Sequence, residues 1–247
     1  MKLNTLLCCL LVFATIGLYG QVDRDNSLVN QSNVRDLINL NPTSIGSRGF
    51  DNRYEGVKGT PFLFDDFQYA DLQIKGKDEF IQKIEININL EEHYLLVRLA
   101  DGTTGAVSSQ NIARVVVEEN AGLGREFVVL PPTYVDDKVV ENPRFYELLH
   151  DGDIKFFKLR DKLLEKADYK GAYSTDRRFD EFIEIASYYL GTDQPPFTKV
   201  KLKEKAFTQA LPGSEQAIER TLKSENLDIK EEKDAVKLLQ IIDNRGS

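Results

Sequence analysis

The chain has 247 residues, 32 Lys and Arg against 40 Asp and Glu, and a formal net charge of −8. Its acids are dispersed and no basic stripe interleaved with aromatics occurs, which excludes the electrostatic footprint of a nucleic-acid binder. Both cysteines, Cys8 and Cys9, lie near the start, so the rest of the chain offers no disulfide, no thiolate nucleophile and no thiolate metal ligand.

Lys2 and the apolar run Leu6–Leu18 precede Gly20 and the polar Gln21-Val22-Asp23. This is the layout of a secretory signal peptide, with cleavage expected after Gly20. The run is shorter than the roughly 20 residues that span a bilayer, and no later apolar segment is long enough either. Leu7 before Cys8 does not fit a lipoprotein signal. Removing residues 1–20 takes one lysine away and moves the net charge from −8 to −9. What remains is long enough for one domain to bury about 70% of its unfolded surface.

Residues 21–49 form a polar lead-in with a short amphipathic piece at Val34–Leu40, stopped by Asn41-Pro42. Four glycines in Gly46–Gly59 predict a looping approach to the first strands. From Pro61 the apolar period is two. Ile84–Leu90 alternates strictly, which predicts a half-buried strand with one wet face. Glu91-Glu92 turns the chain into His93–Leu99, and Asp101-Gly102 supplies a hairpin turn. Thr104–Ser108, Ala113–Glu118, Arg125–Leu130, Phe145–His150, Ile154–Leu159, Phe182–Leu190 and Phe197–Leu202 continue the pattern. Short strands with short turns predict an antiparallel meander, not βαβ units.

After Leu202 the period becomes helical. Ala206, Phe207, Ala210 and Leu211 share a face before Pro212-Gly213, and Ile218 and Leu222 line a second helix. Asp228 with Glu231 resembles a capping box ahead of Ala235, Leu238, Leu239 and Ile242, which fall at i, i+3, i+4 and i+7. The expected fold is mainly β (α+β): an antiparallel meander over residues 50–202, forming a sandwich or partial barrel, with a C-terminal helical hairpin in 203–247.

Few residues carry chemistry. The only histidines, His93 and His150, flank strand ends, and neither a G-x-S-x-G elbow nor an S-x-x-K motif supplies a nucleophile. Both are read as surface or packing residues. The acid pairs Asp65-Asp66, Asp136-Asp137, Glu118-Glu119 and Asp151 with Asp153 are read as turn acids and solvated charge. The loop beginning Asp51 fails as a calcium site, with Arg at its third position and Phe at its twelfth. Gly122-x-Gly124 is too short for a dinucleotide fingerprint. No catalytic, metal or cofactor residue is assigned. Phe62, Phe64, Phe67 and Tyr69 are read mainly as sheet packing, with a ligand-facing stripe as the alternative. Tyr188-Tyr189 must put one ring on each side of its strand, so one of the two is a candidate for exposure. Phe64, Tyr69, Tyr188 and Tyr189 are therefore the tentative ligand surface. Asn30-Gln31-Ser32 is a formal glycosylation acceptor.

Gly56–Phe64 (GVKGTPFLF), Phe145–Asp153 (FYELLHDGD), Phe156-Phe157 and Tyr188-Tyr189 resemble a group of uncharacterised exported proteins of Bacteroidota. The leader ending Leu-Tyr-Gly before Gln is similar to theirs. The resemblance spans roughly residues 50–245 and implies a strand meander with a short helical tail, and no activity. It also implies a periplasmic location, because the chain ends in a charged helix (KLLQIIDNRGS) where many exported proteins of that phylum carry a β-type sorting domain. The functional expectation is an exported, non-enzymatic envelope protein that binds a ligand or is structural, its partner an envelope protein or a small ligand. The alternatives are an adaptor docking through its C-terminal helices and a carboxylate-dependent hydrolase of glycan or peptide.

Overall fold

A computed structural model of the chain describes residues 34–35, 56–118, 124–167 and 179–246. The leader with Cys8 and Cys9, most of the 21–49 lead-in, the Asn30 acceptor and the loop from Asp51 lie outside the described residues.

The fold is mainly β with helices at the C-terminal end. Among the described residues eleven strands form one sheet: β1 (Gln68–Ile74), β2 (Phe80–Asn89), β3 (Tyr94–Arg98), β4 (Thr104–Ser108), β5 (Ile112–Val117), β6 (Arg125–Leu130), β7 (Val135–Asp136), β8 (Arg144–Asp151), β9 (Ile154–Glu165), β10 (Glu181–Thr192) and β11 (Phe197–Val200). Their order is β4-β3-β2-β1-β5-β6-β8-β9-β10-β11-β7. Every neighbouring pair is antiparallel except the short β11–β7 contact. Three helices follow: α1 (Glu204–Ala210), α2 (Glu215–Ser224) and α3 (Glu232–Gly246).

Local chemistry sets the turns. Asn89 Oδ1 accepts from the backbone N–H of Glu91 and Glu92, and His93 takes a left-handed φ of 53°. The strand after that turn therefore starts at Tyr94, one residue later than the alternation suggested. Gly102, at φ 82°, closes the β3–β4 hairpin, where Asp101 accepts from Thr103 N–H. A bulge in the β1–β2 pairing between Ala70 and Leu72 coincides with Lys83 at φ 53°, whose N–H is taken by Asp71.

The alternating strand β2 buries Ile84, Ile86 and Ile88 as expected, but its polar side is not wet throughout. Asn87 and Asn89 are 4% and 2% exposed, because the segment at residues 61–64 lies along β2 where β1 has ended. Leu63 N–H bonds to Ile88 O, and the Asn87 amide both accepts from Phe64 N–H and donates to Phe64 O. A buried amide is tolerated when it is satisfied in this way.

The sheet curls without closing. Lys162 N–H of β9 donates to Leu90 O just past β2, and Lys162 Nζ donates to Phe62 O. Three cores result. The first lies within the curl and includes Leu72, Ile86, Leu95, Val107, Val115, Phe127 and Phe145. A second joins the sheet to the helices through Phe156, Leu190, Phe207, Ile218, Leu238 and Leu239. A third lies on the opposite face, around Tyr146, Phe157, Tyr189 and Phe197. The helices thus bury their apolar stripes against their own sheet. The N-terminal cap of α3 differs in detail from a capping box: the helix begins at Glu232, Asp228 accepts from Lys230 N–H, and Asp234 reaches back to Asp228 N–H.

Candidate functional site

Cross-strand partners share a face. The pairs Phe127–Glu147, Glu147–Lys158 and Lys158–Tyr188 therefore place Arg125, Glu147, Lys158, Arg160, Glu184 and Tyr188 on one side of β6, β8, β9 and β10. Phe127 and Phe145 of the first core lie at one end of that side, Phe156 and Leu190 of the second at the other. Between the two cores runs a seam of charge.

Its centre is Glu147, only 9% exposed. Arg125 grips it with two bonds, Nε to Oε1 at 2.8 Å and Nη2 to Oε2 at 2.9 Å. Arg160 Nε adds a bond at 3.3 Å, and its Nη1 continues to Glu184 at 2.8 Å. Burial pushes the Glu147 carboxyl up, but the Arg125 bond and the charges of Arg125, Arg160 and Lys158 outweigh it, so the net direction is down. Lys158, also 9% exposed, pairs with Glu232 at the start of α3 at 2.5 Å. The Tyr188 hydroxyl donates to the same Glu232 oxygen at 2.7 Å. Burial first, then that bond, raises the Tyr188 pKa.

The seam opens into a groove at the β8–β9 end of the sheet. Two adjoining depressions, of about 370 and 290 Å³, share His150 and Asp151. The first is walled by Arg125, Glu126 and Glu147, the second by Asp153 and, from α3, Gln240, Asp243 and Asn244. His150 Nε2 sits 2.5 Å from Asp243 Oδ2, an oxygen that also lies 3.4 Å from Ile154 N–H. Gly152 makes this approach possible, since a Cβ there would lie 1.9 Å from Asp243 Oδ2.

The other histidine is packed away. His93 Nε2 lies 2.7 Å from Asp161 Oδ1, which also accepts from Arg144 Nη1 at 2.8 Å. Burial lowers the His93 pKa more than Asp161 raises it, so the ring is neutral at pH 7 and donates through Nε2. Among the described residues no group of three or more His, Cys, Asp or Glu side chains is arranged to hold a metal. No described helix is long and apolar enough to cross a membrane.

The four aromatic residues of the tentative ligand surface are not brought together. The Phe64 ring lies 5.6 Å from the Arg125 guanidinium, at one end of the seam. Tyr188 stands at the other end, stacked on Phe156 at 5.7 Å. Tyr69 is 54% exposed on β1, remote from Tyr188 of β10 in the strand order. Tyr189 is fully buried on the opposite face, its hydroxyl donating to Asp137 at 2.8 Å. The two tyrosines do fall on opposite sides of β10, yet neither ring is freely exposed, because the helices cover one side and the third core the other. The seam itself escaped the sequence reading. Its signal was present in Lys158, Arg160 and Lys162, three basic residues at alternate positions of a strand, facing acids on the strands to either side. A scan against protein-family models matches no family, and searches of curated proteins and of solved structures give no match.

Proposed function

We propose that the chain is an exported, non-enzymatic protein of the cell envelope that binds a polar ligand in the groove along β8. The leader-like Lys2 and Leu6–Leu18 support export, and the resemblance to exported Bacteroidota proteins supports a periplasmic location. One observation carries the binding reading: two adjoining polar depressions, one along β6 and β8 and the other between the β8–β9 turn and α3, together offer room for a small molecule. Their side chains suit recognition better than catalysis. Glu147 is held ionised between two arginines, and His150 is engaged by Asp243, so acid–base work there would require breaking existing pairs. Adaptor docking through the helices is less well supported, because Phe207, Ile218, Leu238 and Leu239 are buried against the chain's own sheet.

The test is native mass spectrometry of the protein recovered from an envelope fraction, beside a Gln240→Trp variant whose new ring fills the groove from an exposed helix position. The reading predicts a chain starting at Gln21 that carries a bound small molecule, and loss of that molecule in the variant. Retention of residues 1–20 contradicts export. Equal occupancy in both proteins, or none in either, contradicts the groove.

A further inference from the structure

At the far end of β6 from the groove lies a different cavity. It has a volume of about 250 Å³ and is bounded by Ile112, Val129, Pro131, Tyr134 and Pro143, with Lys75 and Gln110 at its rim. Its walls are held in place. A short 3-10 turn over Pro132–Tyr134 fixes Tyr134, whose N–H bonds to Pro131 O, and the next residue, Val135, is anchored in the third core. The buried Ser109 hydroxyl donates to Pro143 O at 2.8 Å. Lys75 N–H is bonded to Asn111 O, and Gln110 N–H to Ser108 Oγ.

The backbones are thus fixed while the polar heads are not. Among the described residues, none bonds to Lys75 Nζ, the Gln110 side-chain amide or the Tyr134 hydroxyl. Tyr134 is 43% exposed, a large aromatic left partly open where Tyr146 and Tyr189 are fully buried. This is a flat apolar face with a cation, an amide and a hydroxyl around it.

We propose that this cavity is a binding site for a single pyranose ring bearing a carboxylate, a hexuronate. The ring's C–H face would stack on Tyr134, its hydroxyls would meet Gln110, and its carboxylate would meet Lys75. Size selects against a lipid: about 250 Å³ falls below the roughly 300–1,000 Å³ of pockets that hold drug-sized molecules. Lys75, Gln110 and Tyr134 are exposed and so meet water when the site is free; an acyl chain would displace that water without replacing its hydrogen bonds, whereas a sugar acid replaces them. The site is independent of the groove and stands or falls separately.

The experiment is NMR titration of the labelled full-length chain with methyl β-glucuronide, methyl β-glucoside and benzoate. The proposal predicts saturable shifts around Tyr134 and Gln110, with the glucuronide binding more tightly than the other two. Tyr134→Ala should weaken binding about tenfold, the size of an aromatic stacking contribution, while Tyr134→Phe retains most of it. Lys75→Gln should abolish the preference for glucuronide over glucoside. No saturation in the millimolar range overturns the proposal. So does tighter binding of benzoate, or an unchanged titration in a folded Tyr134→Ala protein.

Discussion

Glu147 shows how single residues hold this molecule. A carboxylate this buried is tolerated because Arg125 and Arg160 neutralise it, and breaking such a pair leaves uncompensated charge behind. Glu147→Ala should cost about 3–5 kcal/mol in denaturant unfolding, the range for a buried pair that loses one partner. A cost below about 1 kcal/mol would place the network among solvated surface pairs instead. His93 sets the acid response. Its folded pKa lies below its ordinary value of 6.5, so the native state resists a proton that the unfolded chain accepts. The stability this contributes is fully present above pH 6.5 and is lost as pH falls through the folded value. Thermal melts of the wild type should therefore decline with acid below pH 6.5, before the carboxylates titrate. His93→Gln should flatten that part of the curve, and an unchanged slope would remove His93 as its cause. Neither role was legible in sequence, where Glu147 looks like any polar residue within a strand and His93 like any polar residue at a strand end.

Elements were legible wherever one face meets an apolar core. The alternation of β2, the Asp101-Gly102 hairpin and the helical period from Ala206 onward all express that condition directly. Legibility failed where an element is covered on its polar side. Asn87 and Asn89 look solvent-facing until the segment at residues 61–64 is laid over them. The strand β9 was expected to stop at Leu159 but runs to Glu165, because its second half pairs residue by residue with β10 and presents Arg160 and Lys162 to other polar groups. No hydrophobic period marks such a stretch. Seating of α3 depends on an equally unadvertised contact, that of Asp243 over Gly152. Gly152→Ala should push Asp243 off His150 and loosen the last turn of α3. Amide exchange would register this as faster exchange at residues 240–244 with little change in β2. Unaltered protection there would show that the seating of α3 does not depend on the space Gly152 leaves for Asp243.

At the scale of the molecule, one curled sheet supports three cores, and the charge seam divides two of them on a single face. The fold class followed from strand spacing and the change of period at Leu202. The seam did not, because it is assembled from strands far apart in sequence and from Glu232 of α3. The aromatic residues were read mainly as sheet packing, with Phe64, Tyr69, Tyr188 and Tyr189 set apart as a tentative ligand surface because rings are conspicuous recognition groups. The structure instead uses Tyr189 as core and sets Phe64 and Tyr188 as borders of a polar band. The groove beside that band is the feature on which the functional account rests. Its most direct test is amide hydrogen exchange of the protein with and without a small-molecule extract of the native envelope. The account predicts added protection confined to residues 124–126, 147–151 and 240–244. Protection confined to the outer surfaces of α1 and α2, or no protection anywhere, would contradict it.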